Sequence, residues 1–218
     1  MLAGFALANI VIFIVAVALL RSRPEPPPLI QGVLLPHARD ISPFQLIDHH
    51  NQSFTNADLN GRWHLVSYGF TTCPDICPTT LSQLVSVSNS LEQQGHQELR
   101  VLFYTVDHRR DTVAQMRSYV PFFDPKFLGL THIDDSANPH LPFESSLGII
   151  AQLIPNTEED VEPSPNDYQV AHGVTLFLIN PEGKLQAIFE PHNKVPGVPG
   201  FEPQQLLKDY LAIRNYLG

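Results

Sequence analysis

Cys73 and Cys77 are the only two cysteines of the 218-residue chain, and they lie in a Cys-Pro-Asp-Ile-Cys motif. An apolar run at 65–70 precedes the pair and predicts a buried strand, and a helical pattern follows it. If the helix begins near Pro74, both thiols lie on one helix face, with Cα atoms about 6 Å apart, within the disulfide range. Such a pair can close a disulfide or bind a soft metal ion.

The strand-to-helix junction also predicts the ionisation of the thiols. The N–H groups of the first helical turn and the positive end of the helix dipole favour thiolate over thiol, although the charge of Asp75 partly opposes this. The alternative interpretation is a pair of buried structural cysteines. We favour a functional pair because the two residues are adjacent in space and follow a strand.

Composition excludes several classes of protein. The formal net charge is −9, and no basic patch offsets it, so the sequence predicts no nucleic-acid partner. Two cysteines rule out a disulfide framework and a four-cysteine zinc site. The length is sufficient for one globular domain with additional segments.

The N-terminus predicts a membrane segment. Residues 2–20 carry no charge, and this length is close to the roughly 20 residues with which a helix crosses a bilayer. A cleaved signal peptide is the alternative, although its apolar region usually spans about 7–15 residues. Arg21 and Arg23 follow the run, and taken alone the positive-inside rule would leave the rest of the chain in the cytoplasm.

The remaining pattern predicts three segments: a transmembrane anchor or signal peptide at 1–21, a proline-rich linker at 22–39 and a folded domain at 40–218. Strands and helices alternate through the domain. Strands are predicted at 44–47, 53–54, 63–70, 99–106, 127–133, 174–179 and 185–189, and helices from the cysteines to about 95, from 111 to 121, over 143–153 and from 203 onward. We therefore predict an α/β fold, with a mixed central sheet flanked by helices and an N-terminal hairpin extension. The dithiol position is typical of a thioredoxin-like fold.

His172 is the candidate third ligand among ten histidines. It comes just before the predicted strand at 174–179, and in a thioredoxin-like sheet the loop before that strand faces the dithiol. Two thiolates and one imidazole form a soft site suited to Cu(I). The other histidines show no partner pattern, and His49 and His50, in a polar turn, are expected in solvent.

These motifs resemble the SCO/SenC family, which comprises membrane-tethered, thioredoxin-like copper chaperones that help to assemble the CuA centre of cytochrome c oxidase. The resemblance covers roughly 40–217 and is carried by the cysteine motif, the stretch 107–112, and Asp167-Tyr168 followed by His172. It implies copper, as Cu(I) or Cu(II), bound by Cys73, Cys77 and His172. It also implies an envelope location, in a bacterial periplasm rather than at a mitochondrial inner membrane, which conflicts with the positive-inside rule.

The chain departs from the family pattern at two places. The family usually has Asp-His-Ser or Asp-His-Thr, whereas this chain has Ala171, His172 and Gly173, and His108 stands where a proline is usual. The missing acid at 171 removes a group that could orient the imidazole. We expect metal binding to persist with an altered affinity and redox poise.

Two functions follow from the pair. The first is a copper-binding metallochaperone that delivers copper to, or helps to assemble, the CuA subunit of cytochrome c oxidase. The second is a thiol–disulfide reductase, in which Cys73 and Cys77 are the catalytic redox pair that keeps the CuA cysteines or other envelope thiols reduced. The partners are then the oxidase subunit or other copper and thiol assembly factors. His172 and the three-residue spacer favour the first.

Overall fold

The computed structural model describes residues 9, 12, 13, 26–132, 137–156, 167–195 and 198–218. Nearly all of the predicted anchor at 1–21 and the first part of the predicted linker lie outside the described residues. Among the residues that are described, no helix combines the length and the hydropathy that a bilayer span requires.

The domain contains twelve described strands, four α-helices and one short 3-10 helix. The strands are β1 (Gly32–Arg39), β2 (Gln45–Asp48), β3 (Ser53–Thr55), β4 (Trp63–Gly69), β5 (Leu99–Thr105), β6 (Leu128–Thr131), β7 (Ala151–Pro155), β8 (Tyr168–His172), β9 (Leu176–Ile179), β10 (Leu185–Phe189), β11 (His192–Val195) and β12 (Val198–Gly200). The helices are α1 (Ile76–Gln93), α2 (Val113–Phe123), α3 (Leu141–Leu147) and α4 (Pro203–Leu217), and the 3-10 helix is Asn56–Leu59.

Eight strands form the central mixed sheet, in the order β1-β10-β9-β4-β5-β6-β2-β3. The neighbours β4, β5 and β6 are parallel, and α1 and α2 connect them. The other pairs are antiparallel, including the hairpins β2–β3 and β9–β10 that the turn residues predict. The carboxyl ends of β4, β5 and β6 therefore lie at one edge of the sheet, and the cysteine motif follows β4 at this edge.

Apolar side chains cover both faces of the sheet. Because successive side chains of a strand point to opposite faces, Leu65 belongs to one buried cluster and Val66 to the other. The first cluster packs under α1, α2 and α4, and the second packs under α3. The thioredoxin-like arrangement of a mixed sheet between helices agrees with the fold predicted from the sequence.

Several elements differ from the sequence prediction, and β8, β11 and β12 were not predicted as strands. Gly32–Arg39, assigned to the linker, forms the edge strand β1, which pairs with β10 and tolerates Pro36 because an edge strand leaves one side unpaired. The helix predicted over 143–153 ends at Leu147, since Gly148 adopts φ 80°, and the chain continues as β7. The helix predicted to stop at Pro121 contains that proline and ends at Phe123.

The side chain of Asp111 joins the ends of two parallel strands. It is fully buried and accepts hydrogen bonds from Thr71 N (2.8 Å), Thr71 Oγ1 (2.6 Å) and Thr105 Oγ1 (2.6 Å). The hydroxyl of Thr131, at the end of β6, donates to the Asp111 carbonyl (3.1 Å). Burial raises the pKa of Asp111, and the hydrogen bonds from Thr105 and Thr71 oppose this rise.

We expect Asp111→Ala to lower the free energy of unfolding by about 3 kcal/mol, because it leaves buried N–H and O–H donors without an acceptor. Urea denaturation followed by circular dichroism measures the change. Asp40→Ala is the control, since Asp40 lies on the surface and its contact with Lys184 is solvated. Equal effects of the two substitutions would contradict the role of Asp111.

Candidate metal centre

The cysteines lie at the start of α1 but not both within it. The helix begins at Ile76 rather than near Pro74, so Cys77 is in its first turn and Cys73 precedes it. A turn closed by the Cys73 N–H and the Phe70 carbonyl (3.3 Å) returns Cys73 to the helix end. Its sulfur then accepts a hydrogen bond from the backbone N–H of Cys77 (3.5 Å). The helix N-terminus therefore contacts the Cys73 sulfur, although the two residues do not share a helix face.

The two thiols differ in exposure. Cys77 is only 3% exposed, whereas Cys73 is half-buried, and neither forms a disulfide. Burial raises the pKa of the Cys77 thiol, so the predicted thiolate character is wrong for this residue: loss of solvation outweighs the helix N-terminus. A Cβ at Gly69 would lie 2.5 Å from the Cys77 sulfur, which explains why glycine ends β4.

The fold brings His172 to this pair. His172 is the last residue of β8, which pairs with β7, and its Nε2 lies 3.8 Å from Cys77 Sγ. The ligand atoms of Cys73, Cys77 and His172 all lie within 4.8 Å of one another. The predicted residues are therefore adjacent in space, although His172 lies in a strand that the sequence did not predict.

The imidazole of His172 has a defined tautomer. Its Nδ1 lies 2.7 Å from the carbonyl oxygen of Gly173, and because a carbonyl can only accept, Nδ1 carries the proton. Nε2 then keeps its lone pair and faces Cys77 Sγ. Burial lowers the pKa of His172, which keeps the ring neutral and suited to a metal. The Gly173 carbonyl thus supplies the acceptor that an acid at position 171 would otherwise offer.

Two aromatic rings hold the imidazole from its sides. The ring of Tyr68 lies 5.7 Å from that of His172 at 61°, and the ring of Phe70 lies 5.6 Å away at 84°. Both contacts are edge-to-face, a favourable arrangement for aromatic pairs. The sequence gives no signal for these contacts, since the apolar run at 65–70 predicts only that the strand is buried.

The absence of a side chain at Gly173 leaves room for the hydroxyl of the same tyrosine. A Cβ at position 173 would come 2.6 Å from the Tyr68 hydroxyl oxygen. That hydroxyl hydrogen-bonds to the side chain of Thr175, and the Tyr68 side chain is buried. The glycine that departs from the family pattern therefore complements Tyr68.

A second buried carboxylate positions the start of β8. Asp107 is fully buried and accepts hydrogen bonds from Arg110 Nε and from the hydroxyl of Tyr168. The Arg110 guanidinium lies 4.2 Å from the centre of the Tyr168 ring and 5.9 Å from that of Phe70. This network fixes the first residue of the strand that ends at His172, so these residues support the site without contacting its ligand atoms.

The remaining histidines do not join this group. His49 is buried rather than solvated as predicted, and its Nδ1 accepts a hydrogen bond from the Gly129 N–H (2.8 Å). This contact ties the β2–β3 turn to β6. A polar turn sequence does not reveal such a packing role, because the partner is distant along the chain.

The donor set fits a soft metal ion. Two sulfurs and one imidazole nitrogen, in a partly buried pocket, suit monovalent copper better than hard cations, which prefer oxygen ligands. The half-buried Cys73 leaves the group accessible from solvent. A thioredoxin-like α/β domain with this constellation after its first parallel strand defines a class of thiol- and metal-handling proteins.

Comparison with known proteins identifies the family within this class. The SCO1/SenC family model matches residues 35–198, and the chain belongs to this family. A putative copper-binding protein of Stutzerimonas stutzeri is 34% identical over 174 residues, which are 80% of each chain. The mitochondrial protein SCO2 homolog of Bos taurus is 40% identical over 141 residues, 64% of this chain and 50% of that protein. The chain thus spans about half the length of this mitochondrial relative.

A solved structure agrees with the fold. The crystal structure of Arabidopsis thaliana ScoI with copper bound superimposes with a TM-score of 0.65 at 30% identity, covering 81% of this chain and all of that one.

We expect Gly173→Ser to lower the free energy of unfolding by about 1–3 kcal/mol, because its Cβ overpacks against the Tyr68 hydroxyl. In the Tyr68→Phe background the same change has a smaller effect, since the next contact is 3.8 Å away. Chemical denaturation of the double-mutant cycle measures the coupling. Ala171→Ser, at an exposed position of β8, is the control, and an absence of coupling would contradict the complementarity.

Proposed function

We propose that the protein is a copper-binding metallochaperone that delivers copper to, or helps to assemble, the CuA centre of cytochrome c oxidase. The convergence of the Cys73, Cys77 and His172 ligand atoms within 4.8 Å carries the proposal. Membership of the SCO1/SenC family supports it, as do a relative described as copper-binding and a neighbouring structure with copper bound. Copper is here the cargo of the protein.

The three ligands have different roles in this proposal. His172 presents the Nε2 lone pair without losing a proton. Cys77, with its raised pKa, must release its proton when copper binds, so copper affinity rises with pH. Cys73 is the more exposed of the two sulfurs, and an incoming thiolate of the oxidase subunit reaches copper from this side. Transfer then proceeds by exchange of one thiolate ligand for another.

Replacing His172 with Ala should weaken Cu(I) binding by at least about 100-fold, because even partners that only orient a metal ligand contribute 10–100-fold. Anaerobic competition of the reduced protein with a chromogenic Cu(I) chelator measures the affinity. The control is His37→Ala, at an exposed position of β1. An affinity equal to that of the wild type would remove His172 from the site.

Thiol–disulfide exchange is the second candidate function, and the unequal burial of the cysteines favours it. Half-buried Cys73 is placed to attack a target disulfide, and Cys77, behind it, to resolve the mixed disulfide. The targets in this proposal are the CuA cysteines or other envelope thiols. The two functions are compatible, because the oxidised pair has no thiolates for copper.

The exchange reaction predicts that Cys77→Ser accumulates a mixed disulfide through Cys73, since the resolving thiol is absent. Cys73→Ser, in which only the buried thiol remains, should accumulate much less. Non-reducing electrophoresis and mass spectrometry of envelope extracts detect the adduct. If neither variant forms one, the reductase function is wrong.

We further propose that residues 1–21 form a transmembrane anchor, or a signal peptide, and that a proline-rich segment spaces the domain from the membrane. The uncharged run at 2–20 supports the anchor. In this arrangement the domain lies in the bacterial periplasm or cell envelope, where the oxidase subunit and other copper and thiol assembly factors are its partners.

A further inference from the structure

A cavity of about 330 Å³ lies at the edge of the sheet opposite the cysteine motif. It borders the first residues of β5 and β6, whereas the cysteines follow the carboxyl end of β4. Leu91 near the end of α1, Leu99 in β5 and Phe127 before β6 belong to its apolar wall. A volume of this size holds a small organic molecule. The cavity is therefore separate from the candidate metal centre.

Two arginines line this cavity side by side. Arg62 directly precedes β4, and Arg100 is the second residue of the neighbouring β5. Burial and the charge of Arg62 lower the pKa of Arg100, and the charges of Asp48 and Asp58 act in the opposite direction. Neither arginine forms an ion pair with a residue that the structure describes. Two guanidinium groups thus repel each other in a partly buried place.

The neighbouring histidine shows that both positive charges act on the same part of the sheet. His64 lies opposite Arg100 in the β4–β5 ladder and is fully buried. Burial, Arg100 and Arg62 together lower the pKa of His64 to about 4. The ring therefore stays neutral near neutral pH, and it does not compensate either guanidinium.

The rest of the lining leaves this positive charge in place. Lys126 Nζ lies 2.6 Å from Glu92 Oε2, so these two lining residues neutralise each other. The C-terminal end of α1 contributes about half a negative charge, which is less than two full positive charges. In a chain with a formal net charge of −9, the cavity is a local positive region, and its apolar walls concentrate the field. An anion between the two arginines would remove their repulsion.

We propose that this cavity binds a small organic phosphate monoester, with its phosphate between Arg62 and Arg100 and its apolar part against Leu91 and Phe127. The guanidinium fork matches phosphate oxygens and binds them through paired N–H···O hydrogen bonds. A phosphate monoester carries close to two negative charges at neutral pH and matches two guanidinium groups, whereas a carboxylate carries one. The apolar wall favours an ester over inorganic phosphate. This function is additional to the proposed handling of copper.

Phenyl phosphate is the probe, because it joins an apolar ring to a single phosphate. It is titrated into the full chain by calorimetry, at a pH well above the second phosphate pKa of about 6. We expect one molecule to bind per chain. Benzoate, phenol and inorganic phosphate should each bind at least about tenfold more weakly, because each lacks a charge, the whole anion or the apolar ring.

Arg100→Gln should weaken the binding of phenyl phosphate at least about tenfold, because it removes one charged donor. Arg62→Gln, at an exposed position, should do the same, and circular dichroism checks that both variants are folded. The matched control is Arg39→Gln, which removes a positive charge from an exposed position of β1. Because β10, β9 and β4 separate β1 from β5, this change should leave the binding unaltered.

The proposal is overturned if phenyl phosphate shows no saturable binding, or if Arg62→Gln and Arg39→Gln bind it equally well. It is also overturned if phenol or benzoate binds as tightly as phenyl phosphate, since the cavity then does not recognise the phosphate. Equal affinity for inorganic phosphate would overturn the role of the apolar wall and identify free phosphate as the ligand.

Discussion

The buried carboxylate of Asp111 is the constraint on which the functional edge of the sheet depends. A charged group without solvent is stable only with hydrogen-bond donors around it, and here Thr71 and Thr105 donate to it. Thr71 starts the loop that leads to the cysteines, and Thr105 leads to the loop of His108. Both loops leave the sheet from positions fixed by one side chain, so the cysteine loop and the loop of His108 depend on the same anchor.

A second buried carboxylate, that of Asp107, positions the strand that carries His172. It holds Arg110 and Tyr168 together, and Arg110 lies over the Phe70 ring that flanks the imidazole. The orientation of His172 therefore comes from the rings of Tyr68 and Phe70 and from the carbonyl of Gly173. This explains how the chain positions the imidazole without an acid at position 171.

The sequence predicted which three residues lie together, but not the contacts that support them. The cysteine motif and the position of His172 follow from local patterns, because a dithiol after a buried strand is typical of a thioredoxin-like fold. The contact of Tyr68 with Gly173 joins residues far apart in the chain, and no periodicity encodes it. The predicted thiolate at Cys77 was wrong for a related reason. The sequence pattern indicates that a helix begins near the cysteines, and a helix N-terminus favours a thiolate. It does not indicate the burial of Cys77 against Gly69, which raises the pKa of the thiol.

The imidazole of the metal centre is oriented by the backbone rather than by an acidic side chain. Nδ1–H of His172 is held by the Gly173 carbonyl, so Nε2 presents its lone pair toward Cys77. Two sulfurs beside this nitrogen suit soft Cu(I) better than hard cations. The same two sulfurs make the donor set depend on redox state, because a disulfide between Cys73 and Cys77 would leave no thiolate for a metal.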